Sequence, residues 1–294
     1  MLDWTAVGEA LASIFPFECL QPLFMRQALV GLFLLAPVAA MTGVQVVNLR
    51  MAFFADAISH SIFAGVSVGL FLSIDPRWSM IGLAIFVGVG VTACRQRVSL
   101  SADSVIGVFF ATVTAFGLAA ASRERAVARN AQRFLYGDIL TLGEWELSLL
   151  LVAFLAVFAF QFIGHNRLLH LGLDPIVAKA HGVRVGLYQY AFAILLALVA
   201  VLAVWTVGVF LVSALLILPA AAARNLARSA GGMFWWALGI GYLSSATGLV
   251  VSAQNWAGTA TGPTAVLVAA LLFLLSIPFR GLRNGIRRPR MEAR

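Results

Sequence analysis

Asp56 and His60 stand four residues apart inside "FFADAISHSIFAGVSVGLFL" (53–72), a run otherwise apolar enough to cross a bilayer. On a helix, residues i and i+4 share a face, so the two side chains point the same way. With Arg50 at the membrane boundary and a rise of about 1.5 Å per residue, His60 lies roughly 15 Å deep in a core of about 30 Å. An aspartate at that depth costs at least about 2.5 kcal/mol on insertion scales, so the pair needs a partner, water or an ion. Imidazole with carboxylate suits a divalent transition metal, zinc especially, with manganese and iron(II) as further choices. Two ligands are too few for a tight site. They suffice for a transit site if a symmetry mate supplies a second pair, because permeation requires weak binding. A proton relay and a self-neutralising structural pair are the other two readings of the same residues.

The helix that carries this pair also carries its own packing surface. Ala57, Ser61, Gly65 and Gly69 recur every four residues, a stripe of small side chains that lets another helix approach closely. Asp56, His60 and Ala64 lie beside that stripe, which directs the polar pair into a bundle and away from lipid. The other histidines, His165, His170 and His181, have no acidic partner at i,i+4 and no HExxH spacing. They read as solvated or interfacial.

The rest of the chain is built to hold such a helix in a membrane. Of 294 residues, 62% are hydrophobic and only 11% are charged, where a soluble domain carries about 25% charged. No stretch returns to soluble composition, so residues 1–294 are expected to form one all-α transmembrane domain of eight to nine spans. Candidate spans are 24–46, 53–73, 78–94, 104–121, 147–164, 187–205, 206–222, 233–252 and 263–279. The run 187–222 is too long for one crossing and is divided near Trp205-Thr206; its second part, ending at Pro219, is either a span or a short re-entrant helix.

Loop charge sets the orientation. Six arginines (Arg280, Arg283, Arg287, Arg288, Arg290, Arg294) crowd the final fifteen residues, which places a basic 280–294 tail in the cytoplasm. Counting back puts Arg50, residues 95–97, 165–186 and 224–229 inside, and the acidic segment 1–22 outside. The loop 122–146 also lands outside, against the rule, since it holds Arg123, Arg125, Arg129 and Arg133. Within 165–186, "DPIVAKAHG" predicts a helix of about two turns on the cytoplasmic face. Asp174 is its N-cap, Pro175 its first residue and Gly182 its stop.

Several functions are excluded or disfavoured. The net charge of +8 is explained by cytoplasmic arginines facing anionic lipid, so no nucleic-acid partner is expected. Cys19 and Cys94 are isolated, without metal or disulfide spacing, and the acidic N-terminus does not read as a cleavable signal peptide. The single lysine, Lys179, has neither the glycines nor the hydroxyl of a Walker A loop, so this chain is not a P-loop ATPase by itself. No G-x-S-x-G elbow or HExxH pair marks an intramembrane enzyme.

These residues carry a family likeness. "RMAFFADAISHSIFAGVSVGLFL", "SADSVIGVFFATVTAFGL", "LGLDPIVAKAHGVRV", "TVGVFLVSALLILPAAAAR" and "GPTAVLV" follow one another in the order found in permeases of ATP-binding-cassette importers of zinc, manganese and iron(II), which the chain resembles from about 22 to 279. The resemblance implies a permease acting with a second permease copy, a cytoplasmic ATP-binding subunit and an extracytoplasmic metal-binding protein, in the inner (plasma) membrane. It implies that Asp56 and His60 contact the passing cation, zinc first and manganese or iron(II) next, with no permanently bound cofactor. It also makes 174–185, with Asp174, Pro175, Ala178 and Gly182, the helix that couples to the ATPase. The rival expectation is a proton-coupled secondary transporter with Asp56 and His60 as the relay.

Overall fold

The structure is a computed structural model and describes residues 4–14, 17–98, 100–123, 139–254 and 256–285. A short helix α1 (Trp4–Ile14) precedes the bundle helices α2 (Leu23–Asn48), α3 (Ala52–Phe71), α4 (Pro76–Arg97), α5 (Ala102–Arg123) and α6 (Glu144–Leu173). A second short helix, α7 (Pro175–Ala180), leads into α8 (Val185–Val207), α9 (Val209–Leu226), α10 (Ala230–Ser252) and α11 (Thr261–Gly285). No strand occurs among the described residues, and eight of the helices there are long and apolar enough to cross a membrane. α9, at 18 residues, is the shortest bundle helix. The chain is an all-α polytopic bundle.

α2 is apolar on every side and correspondingly sits in the middle, packed against α1, α6, α9 and α10. Where it meets α9, Gly43 lies directly on the Leu216 carbonyl, leaving no room for a Cβ. α5 and α11 are covered on fewer sides and leave Val108, Phe116, Leu267 and Leu271 exposed, as expected of helices that face lipid.

Side-chain pairs fix the direction of each helix. Arg77 stands over the Trp205 ring at 4.5 Å while Gln96 donates to Gln189 at 2.9 Å, so α4 and α8 are antiparallel. Gln45 donates to Gln161 at 3.2 Å, and Gly172 packs against Asn48, so α2 and α6 run in parallel. Ser252 and Thr261 share a hydrogen bond of 2.9 Å across the α10–α11 turn. The result is two ends of different character. One gathers Asn48, Arg50, Arg95, Gln96, Gly172 and Pro175 around a cleft of about 310 Å³. The other holds Asp75, Arg77 and Trp205.

Several boundaries differ from the sequence expectation: α6 continues past residue 164 to Leu173, so the first part of the expected 165–186 loop is helix. The long apolar run breaks at Gly208, not at Trp205-Thr206, because Gly208 adopts φ 85° and ψ 160°, a region essentially reserved for glycine. α9 then continues through Pro219 to Leu226; the ring cannot donate, but neighbouring helices tolerate this within a membrane. The last helix passes residue 279 and is described as far as Gly285. Of the expected basic tail, residues 286–294 lie outside the described residues, as do 124–138 of the arginine-bearing loop.

Candidate metal-transit site and coupling helix

α3 begins after a link of only three residues. α2 stops at Asn48, Arg50 takes a left-handed φ of 54°, and the Met51 N–H returns to the Val46 carbonyl at 2.8 Å. The turn throws α3 away from α2 and toward α4 and α5. The small stripe then meets α4. A Cβ on Gly65 would lie 2.7 Å from the Met80 Cα, and the Ser79 hydroxyl donates to the Gly65 carbonyl at 2.6 Å. Gly69 packs on Pro76 and Ser79 of the same helix. Ser61 is fully buried and satisfies its hydroxyl on the Ile58 carbonyl at 2.6 Å.

With that face occupied by α4, Asp56 and His60 turn toward α5. Both are half-buried. The His60 ring meets Phe110 edge-on, with centroids 5.0 Å apart. Among the described residues neither side chain has a hydrogen bond or ion pair; the recorded ion pair, Glu9–Arg26, is elsewhere. The same side of α3 ends in Phe53, which is 64% exposed, and the α5 surface beside it is open at Gly107. An apolar ring, a carboxylate and an imidazole therefore share one uncovered face.

Two hydroxyls near this face escaped the sequence reading. Ser59 is fully buried on the turn that links Asp56 to His60, and its oxygen has no partner. Thr114, one turn beyond Phe110 on α5, also has a buried oxygen without a partner. Helical Ser and Thr usually bond back to their own helix, so an unsatisfied pair of oxygens is notable. Ser59 belongs to the same "DAISH" block, which is the signal that pointed to it; nothing local marks Thr114. No group of three His, Cys, Asp or Glu side chains close enough to hold a metal occurs among the described residues.

At the arginine-rich end, the expected short helix is present as α7. The Asp174 carboxylate accepts from the Ile176 N–H at 2.7 Å and from the Val177 N–H at 3.4 Å, with Pro175 following it. Ala178 is fully buried, anchoring α7 against its neighbours. Gly182, at φ 77°, stops the helix by taking the left-handed position. Asp174→Ala removes both capping bonds at once. We expect it to weaken α7 by about 1 kcal/mol, seen as faster amide exchange over 176–180 with exchange in α8 unchanged.

Known proteins share this architecture. The chain is 30% identical over 261 residues to the high-affinity zinc uptake system membrane protein ZnuB of Haemophilus influenzae, covering 89% of this chain and 97% of that protein. It is also 30% identical over 265 residues to the manganese transport system membrane protein MntC of Halalkalibacterium halodurans, covering 87% of each. The solved structure of PsaBC from Streptococcus pneumoniae in complex with Fab superposes with a TM-score of 0.75 at 27% identity, over 92% of this chain and 95% of that one. The model of the ABC 3 transport family matches residues 21–280, from the start of α2 to within α11, and the chain belongs to that family.

Proposed function

We propose that this chain is the membrane permease of an importer for a divalent transition metal, zinc first and manganese or iron(II) next. The observation that carries the proposal is the uncovered Asp56/His60 face: a carboxylate and an imidazole in the first half of α3, half-buried, without a hydrogen bond or ion pair among the described residues, and flanked by an exposed phenylalanine. Such a face is incomplete alone. A second permease copy packed against it would cover Phe53 and bring a symmetry-related pair, giving four ligands around a cation. His favours zinc, and Asp accepts any of the three metals. Relatives with names for zinc and for manganese are about equally similar, so the choice between metals rests on ligand chemistry.

The chain performs no covalent chemistry in this scheme. A separate cytoplasmic subunit hydrolyses ATP and acts on α7, while an extracytoplasmic metal-binding protein delivers cargo at the Arg77–Trp205 end. The end that holds Arg50 and Arg95 faces the cytoplasm of a cell whose inner membrane holds the complex. Movement of α7 tilts the bundle and exposes the Asp56/His60 face to one side and then the other.

The test is the zinc, manganese and iron content of metal-limited cells that lack the chain, with and without its restoration. One metal should fall and recover, and its recovery should survive collapse of the proton gradient for as long as ATP is held constant. Loss of recovery under that condition would favour the proton-coupled carrier instead.

A further inference from the structure

Two histidines that lie eleven residues apart in sequence are brought together beside α7. His170 is in the last turn of α6, and His181 caps the C-terminus of α7. Their rings lie 6.0 Å apart, centroid to centroid, and within 11° of parallel. Both side chains are exposed. The His181 Nδ1 stands 2.9 Å from the Val177 carbonyl. A carbonyl only accepts, so Nδ1 carries the proton, and in the neutral ring Nε2 keeps a free lone pair. That tautomer, held by a backbone carbonyl, is the arrangement that prepares an imidazole to ligate a metal.

We propose that His170 and His181 form a weak divalent-metal site that clips α7 to α6, and that imported cargo binds there to slow further import. Two imidazoles on one tetrahedral zinc, with Zn–N bonds of about 2 Å, place their ring centres roughly 5 Å apart. The two rings stack nearly parallel, so the exposed His170 ring must turn about its side-chain bonds before its lone pair and that of the His181 Nε2 meet on one ion, and its exposure leaves it room to do so. Water fills the remaining positions, which keeps the site weak and reversible. The geometry also gives the site a consequence. α6 is a long bundle helix, whereas α7 is a six-residue helix on the arginine-bearing end. A metal bridging the two resists any motion of α7 relative to the bundle. The feedback part rests on the proposed function above; the binding part does not.

The binding experiment uses the untagged full-length chain carrying His60→Ala, which disables the membrane couple, in equilibrium dialysis against zinc chloride. We expect saturable binding of zinc that His170→Ala or His181→Gln weakens at least about tenfold and that His165→Ala leaves intact. Equal binding with and without His170 overturns the site. The feedback experiment uses the assembled importer in vesicles, with zinc buffered on the α7 side. ATPase activity should fall at least about fivefold as that zinc rises, and His170→Ala should abolish the fall while leaving the rate without zinc unchanged. The same inhibition in both overturns the feedback. An assembled wild-type complex that moves no metal refutes the importer reading, and dialysis still decides the histidine site.

Discussion

Metal uptake is expected to fall on the order of 100-fold when His60 is replaced by alanine, with protein level and thermal midpoint almost unchanged. The imidazole has no hydrogen bond or ion pair among the described residues, and its recorded ring contact is the edge of Phe110. An edge contact of this kind contributes about 0.5–1.5 kcal/mol, so the fold tolerates its loss. A ligand to a weakly held cation is different: removing it leaves one carboxylate per chain, and loss of even an outer-shell group costs 10–100-fold in affinity or activity. Uptake of the cargo metal, normalised to permease in the membrane, is the readout. His60→Cys adds a discriminating arm, because thiolate suits zinc and not manganese. Partial uptake by the cysteine variant would assign zinc, and none would favour manganese. Uptake retained by the alanine variant, together with a lowered thermal midpoint, would place His60 in the fold and remove it from the path.

Gly65→Val is expected to damage the bundle while replacing no metal-binding side chain. The new Cβ would sit 2.7 Å from the Met80 Cα, so backbone and not a mobile side chain stands in the way. α3 and α4 must separate, and the bond from the Ser79 hydroxyl to the Gly65 carbonyl is lost with them. Overpacking of this kind costs about 3 kcal/mol, which should lower the thermal midpoint by at least about 5 °C. Gly82→Ala, on the exposed side of α4 with open space around it, is the control and should be silent. Uptake should fall with Gly65→Val as well, since Gly65 is little more than one turn from His60. A midpoint unchanged by the valine would mean that α3 and α4 do not pack as described.

The features legible in the sequence are those written within one helix or one turn. The Asp56/His60 couple and the Ser61, Gly65, Gly69 stripe depend on i,i+4 spacing, which any helix delivers regardless of its neighbours. The cap at Asp174 and the stop at Gly182 depend on local hydrogen bonds and on one left-handed residue, so they too were readable. The break in the long apolar run was legible as a necessity of length, but its position at Gly208 needed the backbone angle. Other features required the helices to be assembled. That the stripe meets α4, that Phe110 faces His60, and that Ser59 and Thr114 keep unsatisfied oxygens all follow from which helices touch. His170 and His181 looked like two solvated side chains, because eleven residues is not a spacing that any single helix places on one face. They meet because the chain leaves α6 at Asp174, makes one short helix and stops at Gly182, which folds His181 back onto the end of α6. Spacing along one element is a local property of the chain. Contact between elements depends on every turn that lies between them, and here those turns decided both what covers the stripe and which histidines stand together.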